Sequence, residues 1–340
     1  MKTLVIRFGS LGDVVLTLPA LRDAALAGGP VHYLVHEEYA SLLEPLPEIE
    51  RVWTLPRSAG AGDLRDLSGA LAAEGFRAVL DLHASPRSRA LRALLARCGA
   101  RWAATRRQDV RRRLWVLRGR LDGRLPAPPA AVPAHRRHRE AARRLLGASY
   151  REAPDAQYPA PDVARERAEA ALAAAGLPAG ALPVGFAPGA RWPEKAWPHF
   201  AALAARLAGR AALLVLGGPG EEALCATLAG PEGAALAGER PLPETAAALA
   251  RCRVLVTGDS GLGHLAEATG TTALVLFGPT VPAFGFAPRL PASRVLERPL
   301  PCRPCSLHGE KPCRLGTRAC LTDIGADEVL ATLAAMGALP

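Results

Sequence analysis

The stretch RVLVTGDSGLGHLAEATGTTALVLFG, residues 253–278, holds two apolar runs separated by a segment with more chemistry than a simple reversal needs, since Gly or Asn alone would turn the chain. VLVT (254–257) is short, β-branched and stops at Gly258, which is the pattern of a buried strand. Ser260 can cap a helix in which Leu262, Leu265, Ala266 and Ala268 recur with helical period, and TALVLFG (272–278) returns as the next strand. Two buried strands joined through a helix run parallel, so this unit specifies a parallel sheet with helices on its faces. A helix that begins Ser-Gly also points free N–H groups and its positive end out of the carboxyl edge of the sheet, where a phosphate is stabilised.

The same alternation recurs along the chain. TLVIRF (3–8), VHYLV (31–35), RVWTL (51–55) and AVLDL (78–82) read as strands, with helices expected over Val14–Leu26 and Asp63–Glu74. LPVGFAP (182–188), AALLVLGG (211–218) and the two strands of the opening stretch repeat the theme. Between them, PDAQYPAPDV (154–163) has the Pro-rich composition of a linker. The expected fold is therefore α/β: two doubly wound parallel-sheet domains, 1–158 and 159–340, facing each other across a cleft at the carboxyl ends of both sheets.

At 340 residues, 49% of them hydrophobic and 22% charged, the chain can bury two cores and is not disordered. No run approaches the ~20 apolar residues of a spanning helix, and MKTLVIRFG at the N-terminus reads as a strand rather than a signal peptide. Seven cysteines, an odd number, suit a reducing compartment, so a cytoplasmic location is expected. The formal charge of +10 is concentrated: residues 101–144 hold fourteen arginines against three acids, leaving the rest of the chain near neutral. Such a segment attracts polyanions or an anionic membrane surface, and no nucleic-acid motif accompanies it.

Four stretches follow strands and carry polar chemistry. RFGSLGDVVLTLPAL (7–21) turns from strand to helix through Ser10 and Gly12, with Asp13 at the helix start. PGARWPEKAWP (188–198) holds Arg191 just before, and Lys195 between, two tryptophans, GGPGEE (217–222) brings Glu221 and Glu222 to a helix start, and the opening stretch supplies Asp259, Ser260, Gly261 and His264. Only three lysines, Lys2, Lys195 and Lys311, stand among 42 basic residues. A compact ammonium at 195 suits a phosphate oxygen. Cys302, Cys305, Cys313 and Cys320 are spaced C-x2-C-x7-C-x6-C, a set that could hold zinc or remain as free thiols.

Taken in this order, the four stretches resemble glycosyltransferase family 9, the ADP-heptose:lipopolysaccharide heptosyltransferases. SLGDVVLTLPAL is similar to the family's opening signature, PGARWPEKAWP to its PG-x5-K-x-WP element, and GDSGLGHLAEATGTTALVLFGPT to its D-[ST]-G-x2-H-x-A block with the following GPT. The tail PCRPCSLHGEKPCRLGTRACLTDI (301–324) is similar to tails on the heptosyltransferase II side.

The resemblance implies the GT-B architecture, with an acceptor-binding first domain, a nucleotide-sugar-binding second domain and a last helix able to cross back. It implies inverting transfer from ADP-heptose to a hydroxyl of an anionic lipopolysaccharide core, at the cytoplasmic face of the inner membrane. No metal or other cofactor is implied. Asp13 matches the general base. Lys195, with the helix start at Ser260 and Gly261, matches the leaving-group site; Ser10, Gly12, Arg191, Asp259 and His264 match substrate positions, and Glu221 a contact to the adenosine ribose. Two other readings remain open: a nucleotide-sugar epimerase of similar two-domain build, and a catalytically inactive lipopolysaccharide-binding module.

Overall fold

The computed structural model describes residues 1–339 and divides into two compact units. The first comprises Met1–Arg107 and Val132–Pro159; the second comprises Gln108–Ala131 and the chain from Ala160 onward.

The first unit carries five strands, β1 (Thr3–Ile6), β2 (Val31–His36), β3 (Arg51–Leu55), β4 (Ala78–Asp81) and β5 (Arg101–Ala104), in the order β3-β2-β1-β4-β5, all parallel. The second carries β6 (Val184–Ala187), β7 (Leu213–Leu216), β8 (Ala234–Leu236), β9 (Val254–Gly258), β10 (Thr272–Phe277) and β11 (Arg294–Glu297), in the order β11-β10-β9-β6-β7-β8, again all parallel. Both are doubly wound sheets, as expected. The strand order reverses between β1 and β4 in one and between β6 and β9 in the other. Ligands of such sheets bind outside the carboxyl ends of the strands at these switch points.

Strands covered on both faces read as continuous apolar runs, and β1, β4, β6, β7 and β9 are buried along their whole length. Leu4, Ile6, Phe8, Leu34, Leu71 and Val79 are among the core of the first unit. Val184, Phe186, Phe200, Leu203, Val256, Leu276, Val329 and Leu333 are among that of the second.

Two features differ from the expected bounds. The single helix over 14–26 is two, Leu11–Val15 and Leu18–Leu26, because Pro19 has no N–H to continue the first and fits only the opening turn of the second. The last helix, Ala326–Ala335, belongs to the second unit. Its Val329 and Leu333 are fully buried with Phe200 and Leu203 of the second, each side chain contributing about 1.5–3 kcal/mol of gross burial energy. Finally, residues 108–131 leave the N-terminal half and pack with the second unit, through Val116 against Val281 and Phe284. The other boundary, 159/160, falls one residue from the expected 158/159. There Arg22 ties the linker to the first unit by donating to the carbonyls of Ala156 and Gln157 at 2.6 and 3.1 Å.

Candidate active site

In the first unit, the chain leaving β1 turns at Gly9 and Ser10 into the helix Leu11–Val15 and presents Asp13 at the switch point. Arg7 fixes the carboxylate: its Nη2 stands 2.6 Å from Asp13 Oδ2, while Nε and Nη1 donate to the carbonyls of Gly9 and Leu82 at 2.9 and 2.8 Å. The Ser10 hydroxyl donates to the same Oδ2 at 3.2 Å, so Asp13 also stabilises its own helix start. Burial pushes the Asp13 carboxyl up, but Arg7, with smaller help from His138 and Ser10, more than reverses this and lowers it to about 2. Two imidazoles, His83 half-buried and His138 buried, face the same charge. His83 accepts from the Phe8 N–H at 3.1 Å through Nδ1, and His138 Nδ1 lies 3.0 Å from the Leu16 carbonyl. Burial first, then Arg7, lowers both to about 3, so they are neutral near pH 7.

This cluster carries a pH prediction. Because the folded value of Asp13 lies below the ordinary 3.8, its contribution to stability is present above that value and is lost as pH falls toward 2. None of the three groups changes charge between pH 5 and 8, so the turnover of the enzyme is expected to show no acid limb from this cluster in that range. An acid limb between pH 5 and 7 in kcat would come from a group outside this cluster.

In the second unit the switch point is richer. The Lys195 ammonium, from the turn Pro193–Lys195, stands 2.7 Å from Asp259 Oδ2, just past β9, and the Thr280 hydroxyl donates to the same oxygen at 2.8 Å. Burial pushes Asp259 up, and Lys195, with Thr280 and His264, reverses this and leaves the carboxyl below its ordinary value. Ser260 is the N-cap of the helix Gly261–Ala268; its hydroxyl is 2.9 Å from that of Thr257 and accepts weakly from the Gly263 N–H at 3.4 Å. Glu221 accepts from the Gly218 N–H at 2.8 Å and lies against Gly189, after β6. Glu222 points instead toward Gly238. His264 lies one turn into its helix, its ring 6.5 Å from that of Phe286.

Lys195, Asp259 and Thr280 are thus brought into contact, with Ser260 next in the chain. Arg191 is not among them: it is exposed, over the Trp192 ring at 5.7 Å. Ser10 is exposed and Gly12 buried.

The tail closes over this site. Arg303, 5% exposed, donates to the carbonyls of Phe277, Gly278, Thr280 and Arg298 and pairs with Glu297 at 2.9 Å, clamping the loop that carries Thr280. Gly309, at φ +86°, leaves room for the Lys195 stem, since a Cβ there would fall 2.6 Å from Lys195 Cγ. Gly309→Ala is therefore expected to displace Lys195 and, if the Lys195 ammonium receives a nucleoside diphosphate, to weaken that binding by roughly tenfold, about 1.4 kcal/mol. Calorimetric titration with ADP measures it.

Cys302, Cys305, Cys313 and Cys320 all line one cavity of about 160 Å³, together with Arg318 and Glu194. They are free thiols, and burial raises Cys320 to about 11 and also raises Cys305. Among the described residues no three His, Cys, Asp or Glu side chains are arranged to hold a metal ion.

Sequence reasoning passed over Arg7, His83, His138 and Arg303. Arg7 borders the FGSLGD turn and His83 follows a strand end, which are usable signals. His138 and Arg303 sit in contexts that do not separate them from their neighbours.

Two all-parallel, doubly wound units in one chain, each with charged residues at its switch point, have the GT-B type of fold. The comparisons carry this further. The chain belongs to glycosyltransferase family 9 (heptosyltransferase), whose profile it matches over residues 64–313, and is a glycosyltransferase. It is 32% identical over 324 residues to lipopolysaccharide heptosyltransferase 1 of Pseudomonas aeruginosa, covering 90% of this chain and 86% of that protein. Its fold is similar to that of the glycosyltransferase family 9 protein from Veillonella parvula, with a TM-score of 0.76, 21% identity and coverage of 98% and 96% of the two chains. It is also similar to the ADP-heptose lipopolysaccharide heptosyltransferase II of E. coli, with a TM-score of 0.71, 23% identity and coverage of 99% and 98%. No helix among the described residues is long and apolar enough to cross a membrane.

Proposed function

We propose that the protein is an inverting heptosyltransferase that moves a heptose from ADP-heptose to a sugar hydroxyl of the lipopolysaccharide inner core, working at the cytoplasmic face of the inner membrane. The observation that carries this reading is the 32% identity, over nearly the whole chain, to a lipopolysaccharide heptosyltransferase.

In this reading the acceptor oxygen bonds to the anomeric carbon while the bond from that carbon to the diphosphate breaks, and the electron pair leaves with ADP from the opposite face. The acceptor proton passes to Asp13. A carboxylate held at about 2 is too weak a base to ionise a sugar hydroxyl beforehand, so the proton moves as the new C–O bond forms and the hydroxyl becomes acidic. Lys195 and the N–H groups at Ser260 and Gly261 take up the charge growing on the diphosphate, in place of a metal. Glu221 serves the ribose, and His264 the diphosphate or a donor hydroxyl. The domain roles follow: acceptor on the first unit, nucleotide sugar on the second.

Incubation with ADP-heptose and Kdo–lipid A acceptors of graded length, in EDTA, tests this. The expected result is one heptose added with inversion and one ADP released. An epimerised donor without transfer, or no ADP release with any acceptor, overturns it.

A further inference from the structure

The helix Asp109–Arg120 is built the wrong way round for a surface helix. Such a helix ordinarily turns its aliphatic residues inward and its charges to water. Here the inward face is made of Val116, Gly119 and Arg112, with Trp115 beside them against the same apolar cluster. Gly119 sits directly on the backbone of the tail, where a Cβ would strike the Pro304 carbonyl and stand 2.9 Å from that of Cys302, and the Arg112 guanidinium lies 4.7 Å over the Phe286 ring.

The outward face carries Val110, Leu114, Leu117 and Leu121, which are 74%, 48%, 44% and 41% exposed. Their spacing of four, three and four residues confines them to an arc of about 60° at roughly 100° per residue, opposite Gly119. Arg113 and Arg120, both exposed, border the stripe on one side, and the half-buried Arg111 and Arg118 border it on the other. Beyond the helix, exposed Arg124 and Leu125 extend the same mixture. Two acids lie nearby: Asp109 opens the helix, and Asp122 is paired with Arg314.

Single exposed aliphatics are ordinary on protein surfaces, but four in register, edged by arginines with no open carboxylate between them, match the pattern of a helix that lies in a membrane interface. At 12 residues the helix spans about 18 Å, enough to lie on a bilayer and too short to cross it.

We propose that the helix Asp109–Arg120 lays its Val110, Leu114, Leu117 and Leu121 stripe into the headgroup–acyl boundary of an anionic bilayer, with Arg113 and Arg120 reaching lipid phosphates. Commitment to a bilayer rests on the charge complementarity of the arginines and on the proposed lipid-borne acceptor. The arginine-rich segment thus has a division of labour. Arg112 packs on an aromatic ring and Arg111 donates to the Ala130 carbonyl at 3.1 Å, which leaves Arg113 as the member of that triplet open to solvent.

Flotation of the intact chain with vesicles of phosphatidylethanolamine and phosphatidylglycerol, with neither donor nor acceptor present, tests this. The wild type is expected to float with these vesicles and far less with phosphatidylcholine alone. Replacing Arg113→Gln and Arg120→Gln together should lower affinity roughly thirtyfold at low salt, the effect of two near-surface cations, and little in high salt. Leu114→Ser with Leu117→Ser should lower affinity by about tenfold or more at both salts, because apolar insertion is not screened. The leucine variant should keep full transfer to a short water-soluble acceptor.

Wild-type transfer without flotation overturns the inference and leaves the proposed function standing; flotation without transfer does the reverse. Undiminished flotation of the leucine variant in high salt overturns the inserted stripe. Self-association that the leucine changes abolish, with no vesicle binding, also overturns it by assigning the stripe to a second copy of the chain.

Discussion

Replacing Asp13 with Ala is expected to lower the turnover of heptosyl transfer by roughly 10²–10⁴, the usual contribution of a positioned general base, while ADP-heptose affinity changes little. The carboxylate is placed by the strand-to-helix turn after β1 and oriented by Arg7 at 2.6 Å, so little of its function is shared with other groups. Its second task, stabilising the start of a five-residue helix, is worth only about 0.3–1 kcal/mol. Arg7 keeps its bonds to the Gly9 and Leu82 carbonyls in the variant, so the turn should survive. Asp13→Asn separates charge from shape: it should be nearly as slow as Asp13→Ala, and should lose the stability that the ionised carboxylate gains from Arg7 while keeping the shape of the turn. Turnover within threefold of the wild type in either variant would remove Asp13 from the chemistry.

The second large effect is expected at Lys195. Lys195→Ala should reduce ADP affinity and transfer together, transfer by about 10²–10³ as for loss of one preorganised donor to a developing charge. Two losses are combined in that number. In the proposed reading the ammonium that meets the diphosphate is gone, and the Asp259 carboxylate, 15% exposed, stands without its cation and repels the ligand. The double variant Lys195→Ala/Asp259→Asn divides them: it should recover the stability lost by the single variant and part of the ADP affinity, and none of the transfer rate. EDTA should leave the wild type untouched if ammonium and helix start suffice. Activity abolished by chelation and restored by Mg²⁺ would show that a metal carries the charge.

What could be read from the chain follows from where each element sits. β1, β4, β6 and β9 were legible because sheets covered on both faces demand unbroken apolar runs. β5 and β11 were missed because they are edge strands, half-exposed and written RWAA and RVLE, with a charge at an open end. β8 is only AAL, too short for any periodicity. The split at Pro19 was readable in principle and was outweighed by the apolar period running through it.

The site divides the same way. Asp13, Lys195, Asp259 and Ser260 stand just after strands in small-residue turns, so local sequence marks them. Arg7, His83 and His138 surround one carboxylate from positions 7, 83 and 138, and only the sheet order brings them together. The arginine-rich segment was visible as a charge excess, but its seat on the second unit depends on Gly119 meeting the backbone of a tail nearly two hundred residues later.

If Lys195 meets the donor diphosphate as proposed, its ion pair with Asp259 also governs which anions the resting protein admits. A phosphate arriving at the ammonium does not find a bare cation; it must displace a carboxylate already in contact at 2.7 Å. A singly charged visitor exchanges one such contact for another and leaves Asp259 with only the Thr280 hydroxyl, so it gains nothing. A diphosphate brings a further negative charge, which the open helix start beside Ser260 can accept, and only then does the exchange run downhill. The built-in counter-ion therefore sorts ligands by valence, keeping the abundant monoanions of a cell out of a site that a nucleoside diphosphate can open.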